Sequence, residues 1–294
     1  MTRARIPGST PPSIPPDPGV TERSFAWRAF LSEGPLFIGI LNLTPDSFSD
    51  GGLHTSPAAA LLQARNLLAN GFRMLDLGAE STRPGAEPLE PDEEWDRLHP
   101  ALELLHRELP NIPLSVDTRH SEVAALALAH GASVLNDVTG FQDEAMLSLA
   151  TSTTCGLIAM RSRQQAGRFI MPPYGDAPVF PPEQSLSELK IIAHRIHNAD
   201  IAQERVALDP GFGFGTTYQE DLALWDSLPE SCDALGWPTD QLCLGISRKR
   251  FTAWKAGNPG LGARERDVIT ARLHREAMDL GIRIFRSHAA TLAP

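Results

Sequence analysis

Side chains able to do chemistry recur in this sequence directly after short apolar runs. The run at 36–41 (LFIGIL) leads into Asn42, the run at 74–78 carries Asp76 and enters GAESTRPGAEP, and the run at 112–117 ends in Asp117. LNDVTG supplies Asn136 and Asp137, Met160 and Arg161 follow the fifth run, and Asp209 opens DPGFGFG. GISRKRF contributes Ser247, Arg248 and Lys249, and FRSH contributes Arg286 and His288. These groups suit one another. Asp117, Asn136 and Asp209 fit an N–H-rich planar heterocycle, because a carboxylate can accept two parallel N–H bonds from an aminopyrimidine edge. Lys249 can donate to ring carbonyl or nitrogen acceptors. Arg83, Arg286 and His288 are suited to clamping an anion, since guanidinium matches phosphate oxygens bidentately. Asn42 offers a neutral oxygen to a hard cation such as magnesium (Mg²⁺), which takes few protein ligands and draws the rest from phosphates and water.

The apolar runs at 36–41, 74–78, 112–117, 133–136, 155–160, 205–209, 242–246 and 282–286 read as strands buried on both faces. Helical spacings fill the intervals at 57–70, 91–108, 120–130, 143–150, 183–199, 219–228 and 264–280. Strands and helices alternating in this way over about 250 residues predict an α/β single domain, a (β/α)8 TIM barrel. A doubly wound open sheet is the other candidate, but no GxGxxG follows the first strand. One Asp, Asn or Thr after a strand is most simply a helix cap, and Thr118, Asp137 and Thr139 read that way. Eight strand ends all carrying polar residues converge on one mouth, the C-terminal end where such barrels bind ligands.

Residues 1–20 form a Pro-rich leader predicted to be disordered, and 21–294 form the barrel domain. TERSFAWRAFL, 21–31, has helical spacing with Thr21 as N-cap, whereas only SHAATLAP follows the eighth strand. A shortened or missing last helix is therefore expected, with the extra N-terminal helix covering strands one and eight in its place. The chain has 294 residues, 42% of them hydrophobic and 21% charged, ample for a large core. A net charge of −10 argues against nucleic acid and anionic membranes as partners while leaving room for an anionic substrate in a locally basic pocket. Cys155, Cys232 and Cys243 are sparse, no apolar stretch reaches membrane-spanning length, and no secretory signal precedes the domain. The expected location is cytoplasmic.

Together, GILNLTPDSFSDGG, DLGAESTRPGA, SVDTRHSEV, LNDVTGF, LDPGFGFG, GISRKRF and FRSH closely resemble the motifs of the dihydropteroate synthases of folate biosynthesis, a pterin-binding barrel family. The resemblance implies a transferase that joins 6-hydroxymethyl-7,8-dihydropterin diphosphate to p-aminobenzoate and releases pyrophosphate. It implies that Asp117, Asn136, Asp209, Gly213 and Lys249 hold the pterin with Met160 packed on it. Asn42 would bind Mg²⁺ and the diphosphate, and Arg83, Arg286 and His288 the leaving group. The catalytic set is then Asn42, Arg83, Lys249, Arg286 and His288. Phe48, Thr82, Pro84, Phe214 and Ser247 would form the p-aminobenzoate site, where the family also takes sulfonamides, once the loops after the first two strands close. A homodimer is a possible assembly.

The chain departs from these motifs in several places. Thr216 stands where Lys usually follows DPGFGFG, Glu220–Asp221 where His–Asn is common, and Arg161 where His follows Met; Ser287 and Ala289 flank His288. Two other readings are a divergent pterin-diphosphate-binding paralogue with weak or no synthase activity and a pterin-dependent methyltransferase domain. The latter has no use for the diphosphate set Asn42, Arg83, Arg286 and His288.

Overall fold

A computed structural model describes residues 24–44, 56–81, 87–165, 168–170, 172–175, 180–181 and 183–289. Phe48, Thr82, Arg83, Pro84, the leader and the last five residues lie outside that set, and with them the expected loop closure and the question of a last helix.

Eight strands line up in parallel as β8–β5–β4–β3–β2–β1–β10–β9. They are β1 (Leu36–Asn42), β2 (Met74–Gly78), β3 (Leu114–Asp117), β4 (Val134–Asp137), β5 (Gly156–Met160), β8 (Val206–Asp209), β9 (Cys243–Leu244) and β10 (Ile284–Ser287). A parallel bridge between Leu208 and Leu242 joins the two ends of the sheet, so the open-sheet alternative fails and the barrel closes. The expected helices form within about two residues of their predicted bounds. They are α2 (Pro57–Ala69), α3 (Pro91–Glu108), α4 (Ser121–Ala129), α5 (Glu144–Ser152), α6 (Gln184–Asn198), α7 (Tyr218–Asp226) and α10 (Arg266–Asp279). Local signals set several starts: Ser56 caps α2 ahead of Pro57, Asp143 caps α5, and Thr217 with Glu220 forms a reciprocal capping box on α7. The hairpin β6 (Gln164–Gln165)–β7 (Arg168–Phe169) and the short helices α8 (Leu228–Leu235) and α9 (Arg250–Lys255) were not expected; each is too short to show a period. No helix among the described residues is long and apolar enough to cross a membrane.

Strand alternation separates two cores. Phe37, Leu75, Val116, Leu135, Leu157 and Phe285 face the helices and belong to the larger one. Leu36, Ile38, Met74, Val134, Ile158, Ala207, Cys243 and Ile284 face inward and form the barrel floor.

The N-terminal helix corrects an expectation. It spans only Trp27–Leu31 (α1) and does not stand in for an outer helix beside the first and last strands. Trp27 is wholly buried against the inward floor residues, and its indole N–H donates to the carbonyls of Arg205 at 2.9 Å and Leu157 at 3.3 Å. The Phe25 N–H bonds the Thr154 carbonyl at 3.0 Å, and its ring lies so close to Gly156 that a Cβ there would be 2.6 Å away. The physical reason is that a barrel leaves its apolar floor open at the strand N-termini. A large ring carrying one donor covers that floor and satisfies two strand-edge carbonyls. Trp27→Ala is expected to cost about 3–5 kcal/mol of stability in urea unfolding; a wild-type midpoint would show that α1 does not plug the barrel.

Candidate active site

Above the apolar floor, most of the next inward positions turn polar. Asp76, Asn136, Met160, Asp209 and Arg286 follow two residues after the floor residues Met74, Val134, Ile158, Ala207 and Ile284. Strand register sets Asp117 beside Asn136 and Met160 beside Asp209.

Asp76 is the hub. It is wholly buried, and its Oδ2 accepts the Arg286 Nε–H at 2.5 Å and the Asn136 amide N–H at 3.1 Å. Arg286 also donates through Nη2 to Asp117 Oδ2 at 2.6 Å. Because a carboxylate only accepts, Asn136 must meet Asp76 with its NH₂ and turn its carbonyl the other way, as an acceptor. Burial pushes Asp117 up to about 7, with Asp76, Glu94 and Asp137 adding to the rise against the pull of Arg286. Burial works against the Arg286 charge, but Asp76 and Asp117 outweigh it and hold Arg286 above its ordinary value. Two of the Arg286 donors assigned to an anion are thus engaged with carboxylates.

Asp209 and Lys249 form a second centre. The Gly211 N–H donates to Asp209 Oδ1 at 2.7 Å. At Gly245 a Cβ would lie 3.0 Å from Asp209 Oδ2 and 3.7 Å from Lys249 Nζ, so both groups lean over a position that a side chain would crowd. Burial lowers Lys249 to about 8 despite Asp209, while the same burial raises Asp209 despite Lys249. The ammonium sits 4.5 Å from the centre of the Phe214 ring. Ser247 Oγ accepts the His288 backbone N–H at 3.1 Å and lies 3.2 Å from its Nδ1. Between Ser247 and Lys249, Arg248 adopts a left-handed φ of 59°, held by a bidentate pair with Asp267 at 2.8 Å on both bonds.

Four of the departures from the family's motifs, Arg161, Thr216, Glu220 and Asp221, gather in one buried network around the turn after β8. Arg161 donates from Nε to the Pro210 carbonyl and from Nη2 to that of Gly211, both at 2.7 Å, and from Nη1 to Glu188 at 3.2 Å. Arg163 reaches Glu188 at 2.8 Å, Glu220 at 2.6 Å and the Gly215 carbonyl at 2.8 Å. Asp221 accepts the Tyr174 O–H at 2.7 Å and the Gly213 N–H at 2.9 Å, and Thr216 Oγ1 accepts that same N–H at 3.0 Å. At Gly211, φ is 69° and a Cβ would fall 1.8 Å from the Arg161 carbonyl, so only glycine fits the turn. Elsewhere at the mouth, Arg119 forks onto Glu80 at 2.8 and 2.9 Å, and Glu80 also accepts the Leu89 N–H at 3.1 Å.

The structure therefore gathers Asp117, Asn136, Met160, Asp209, Gly213, Phe214, Ser247, Lys249, Arg286 and His288 at the C-terminal mouth, with Asn42 closing β1 there. Asp76 was visible in its strand but had no assigned role; its alignment with Asn136 and Arg286 above the floor was the available signal. Arg161, Glu220 and Asp221 were read as separate departures, and Arg163 and Glu188 were not singled out. The two arginines after β5 pair with Glu188 of α6 and Glu220 of α7, a match of charge that sequence distance concealed.

The family described as pterin binding enzyme matches residues 38–288. The chain is 40% identical over 220 residues to the dihydropteroate synthase of Bacillus subtilis (strain 168), covering 74% of this chain and 72% of that protein. Xanthomonas albilineans dihydropteroate synthase with 4-aminobenzoic acid superposes with a TM-score of 0.74 at 35% identity, covering 87% of this chain and 88% of that one. Burkholderia cenocepacia dihydropteroate synthase complexed with 7,8-dihydropteroate superposes at 0.72 and 33% identity, covering 88% and 87%.

Glu220 is wholly buried against Arg163. Arg163→Met, which leaves that carboxylate unpaired, is expected to cost about 3–5 kcal/mol in denaturant unfolding; a loss near zero would contradict a closed buried network.

Proposed function

The chain belongs to the family of pterin-binding enzymes, and on that premise we propose that it condenses 6-hydroxymethyl-7,8-dihydropterin diphosphate with p-aminobenzoate, giving 7,8-dihydropteroate and pyrophosphate. The observation that carries this reading is the inward tier of Asp117, Asn136, Asp209 and Lys249 above an apolar floor, with Arg286 braced between Asp76 and Asp117. Relatives of the same fold bind the arylamine substrate and the product.

The pterin's amino and ring N–H groups meet Asp209 and Asp117, the Asn136 carbonyl takes a further N–H, and Lys249 donates to a ring acceptor. Met160, beside Asp209, packs on the ring face. The C–O bond between the pterin methylene and the diphosphate breaks, a C–N bond to the arylamine forms, and the amine loses a proton. An arylamine is already neutral at pH 7, so attack needs no strong base; departure of the diphosphate is the harder event. The electron-rich pterin delocalises the positive charge left on the methylene, and the carboxylates of the inward tier favour it. His288 and the remaining Arg286 N–H donors face the leaving group, with Arg83 from the second loop. Phe48, Thr82 and Pro84 from the first two loops join Phe214 and Ser247 around p-aminobenzoate and exclude the water that would trap the cation.

Among the described residues no group of three or more His, Cys, Asp or Glu side chains could hold a metal. The donor chemistry nevertheless fits Mg²⁺ on one condition: Asn42 at the mouth end of β1 gives one neutral oxygen, and the diphosphate and water give the rest. Bound there, the ion would neutralise charge on the departing diphosphate.

Purified chain supplied with the pterin diphosphate, Mg²⁺ and p-aminobenzoate is expected to release pyrophosphate and form 7,8-dihydropteroate. Pterin binding without pyrophosphate release would overturn the synthase reading. Asp209→Asn, which replaces an acceptor-only group by one presenting a donor, is expected to weaken pterin diphosphate binding by roughly tenfold or more in calorimetry. Unchanged affinity would remove Asp209 from the pterin site.

A further inference from the structure

We propose that Asp221 is a positioning residue for Lys249, acting through the Gly213–Phe214 turn and itself held by Tyr174; the functional consequence rests on the synthase reading above. Asp221 lies in the first turns of α7, wholly buried and outside the tier assigned to the pterin. It accepts the N–H of Gly213, whose φ of 74° turns the chain so that the Phe214 ring comes beneath the Lys249 ammonium. The position of a Cβ at Gly213 would be 3.8 Å from Lys249 Cδ, so the same turn carries the lysine's stem on its backbone and its head on its ring. Arg161 fixes the start of this turn through the carbonyls of Pro210 and Gly211, and Asp221 fixes its middle.

The choice of partners separates Asp221 from an ordinary buried ion-pair member. Arg161 and Arg163 bond Glu188 and Glu220, whereas Asp221 accepts from neutral groups, the Tyr174 O–H, the Gly213 N–H and the Thr216 hydroxyl. Neutral donors steady a carboxylate without cancelling its charge. That charge is then felt at Lys249, where Asp209 and Asp221 favour the ammonium against burial, Arg286 and Arg161. Burial raises Asp221 itself to about 6, so it is mostly ionised at neutral pH. Arg250, over the Tyr174 ring at 4.8 Å, completes the charged groups around the pair.

The sequence has only three lysines, Lys190, Lys249 and Lys255, which makes their amines separable by NMR in lysine-labelled chain. In the free wild-type protein Lys249 is expected to titrate near 8. Asp221→Asn keeps an oxygen able to accept both the N–H and the O–H, so the turn should persist while the charge is lost. Lys249 is then expected to titrate at lower pH, with Lys190 and Lys255 unmoved and the thermal midpoint close to wild type. This readout needs no substrate, so it stands even if the synthase reading fails. With 6-hydroxymethylpterin diphosphate as probe, the alkaline fall in affinity should move with the Lys249 titration, and Asp221→Ala should bind roughly tenfold more weakly at every pH. An unshifted Lys249 in folded Asp221→Asn overturns the electrostatic half of the proposal. An Asp221→Ala chain that melts early yet binds the probe like wild type overturns the positioning half. Wild type that fails to bind the probe while Lys249 shifts refutes the synthase reading alone.

Discussion

A carboxylate sealed from water has to find its donors inside the protein, and Oδ2 of Asp76 finds them in Asn136 and Arg286. That single requirement organises the mouth of the barrel. It orients the Asn136 amide so that its carbonyl is offered as an acceptor. It also pulls Arg286 inward, where the same guanidinium reaches Asp117. Burial, with the neighbouring acids adding to it against the pull of Arg286, leaves Asp117 titrating far above an exposed aspartate. A tier of this kind suits a reaction whose difficulty is the loss of a diphosphate from a carbon that turns cationic. Fixed charges then replace solvent and need no rearrangement as the bond breaks.

A second layer of buried charge supports the first. Arg161, Arg163, Glu188 and Glu220 tie the strand-five loop, α6 and α7 to the turn after β8. Two residues that depart from the family's usual motifs, Arg161 and Glu220, are thus joined through Glu188 and Arg163, and the turn they hold carries Gly213 and Phe214. A buried arginine introduced alone would be costly, whereas matched arginines and acids satisfy one another. The altered motif therefore reads as a rebuilt support under a retained site.

Much of this was legible in the sequence because a β-strand has a period of two. The floor residues are apolar, and on several strands a polar residue two positions on points the same way; Val134 with Asn136 and Ala207 with Asp209 are examples. The eight apolar runs and seven helical spacings located the elements for the same reason. Three features were hidden. The plug made by Trp27 depends on carbonyls of Leu157 and Arg205, more than a hundred residues away, which no local pattern reports. α8 and α9 are too short to show periodicity. The pairing of Arg163 with Glu220 likewise spans a long, irregular connection, so Glu220 looked like an isolated departure and its partner went unnoticed.

The claim that the inward tier is a pterin site is tested most directly by a crystal structure of this chain with 6-hydroxymethylpterin diphosphate bound. The account expects the ring between the Asp117–Asn136 edge and the Asp209–Lys249 pair, with Arg286 still bridging Asp76 and Asp117 or released from Asp117 alone. A pterin bound away from these side chains, or an Asn136 whose carbonyl faces Asp76, would contradict it.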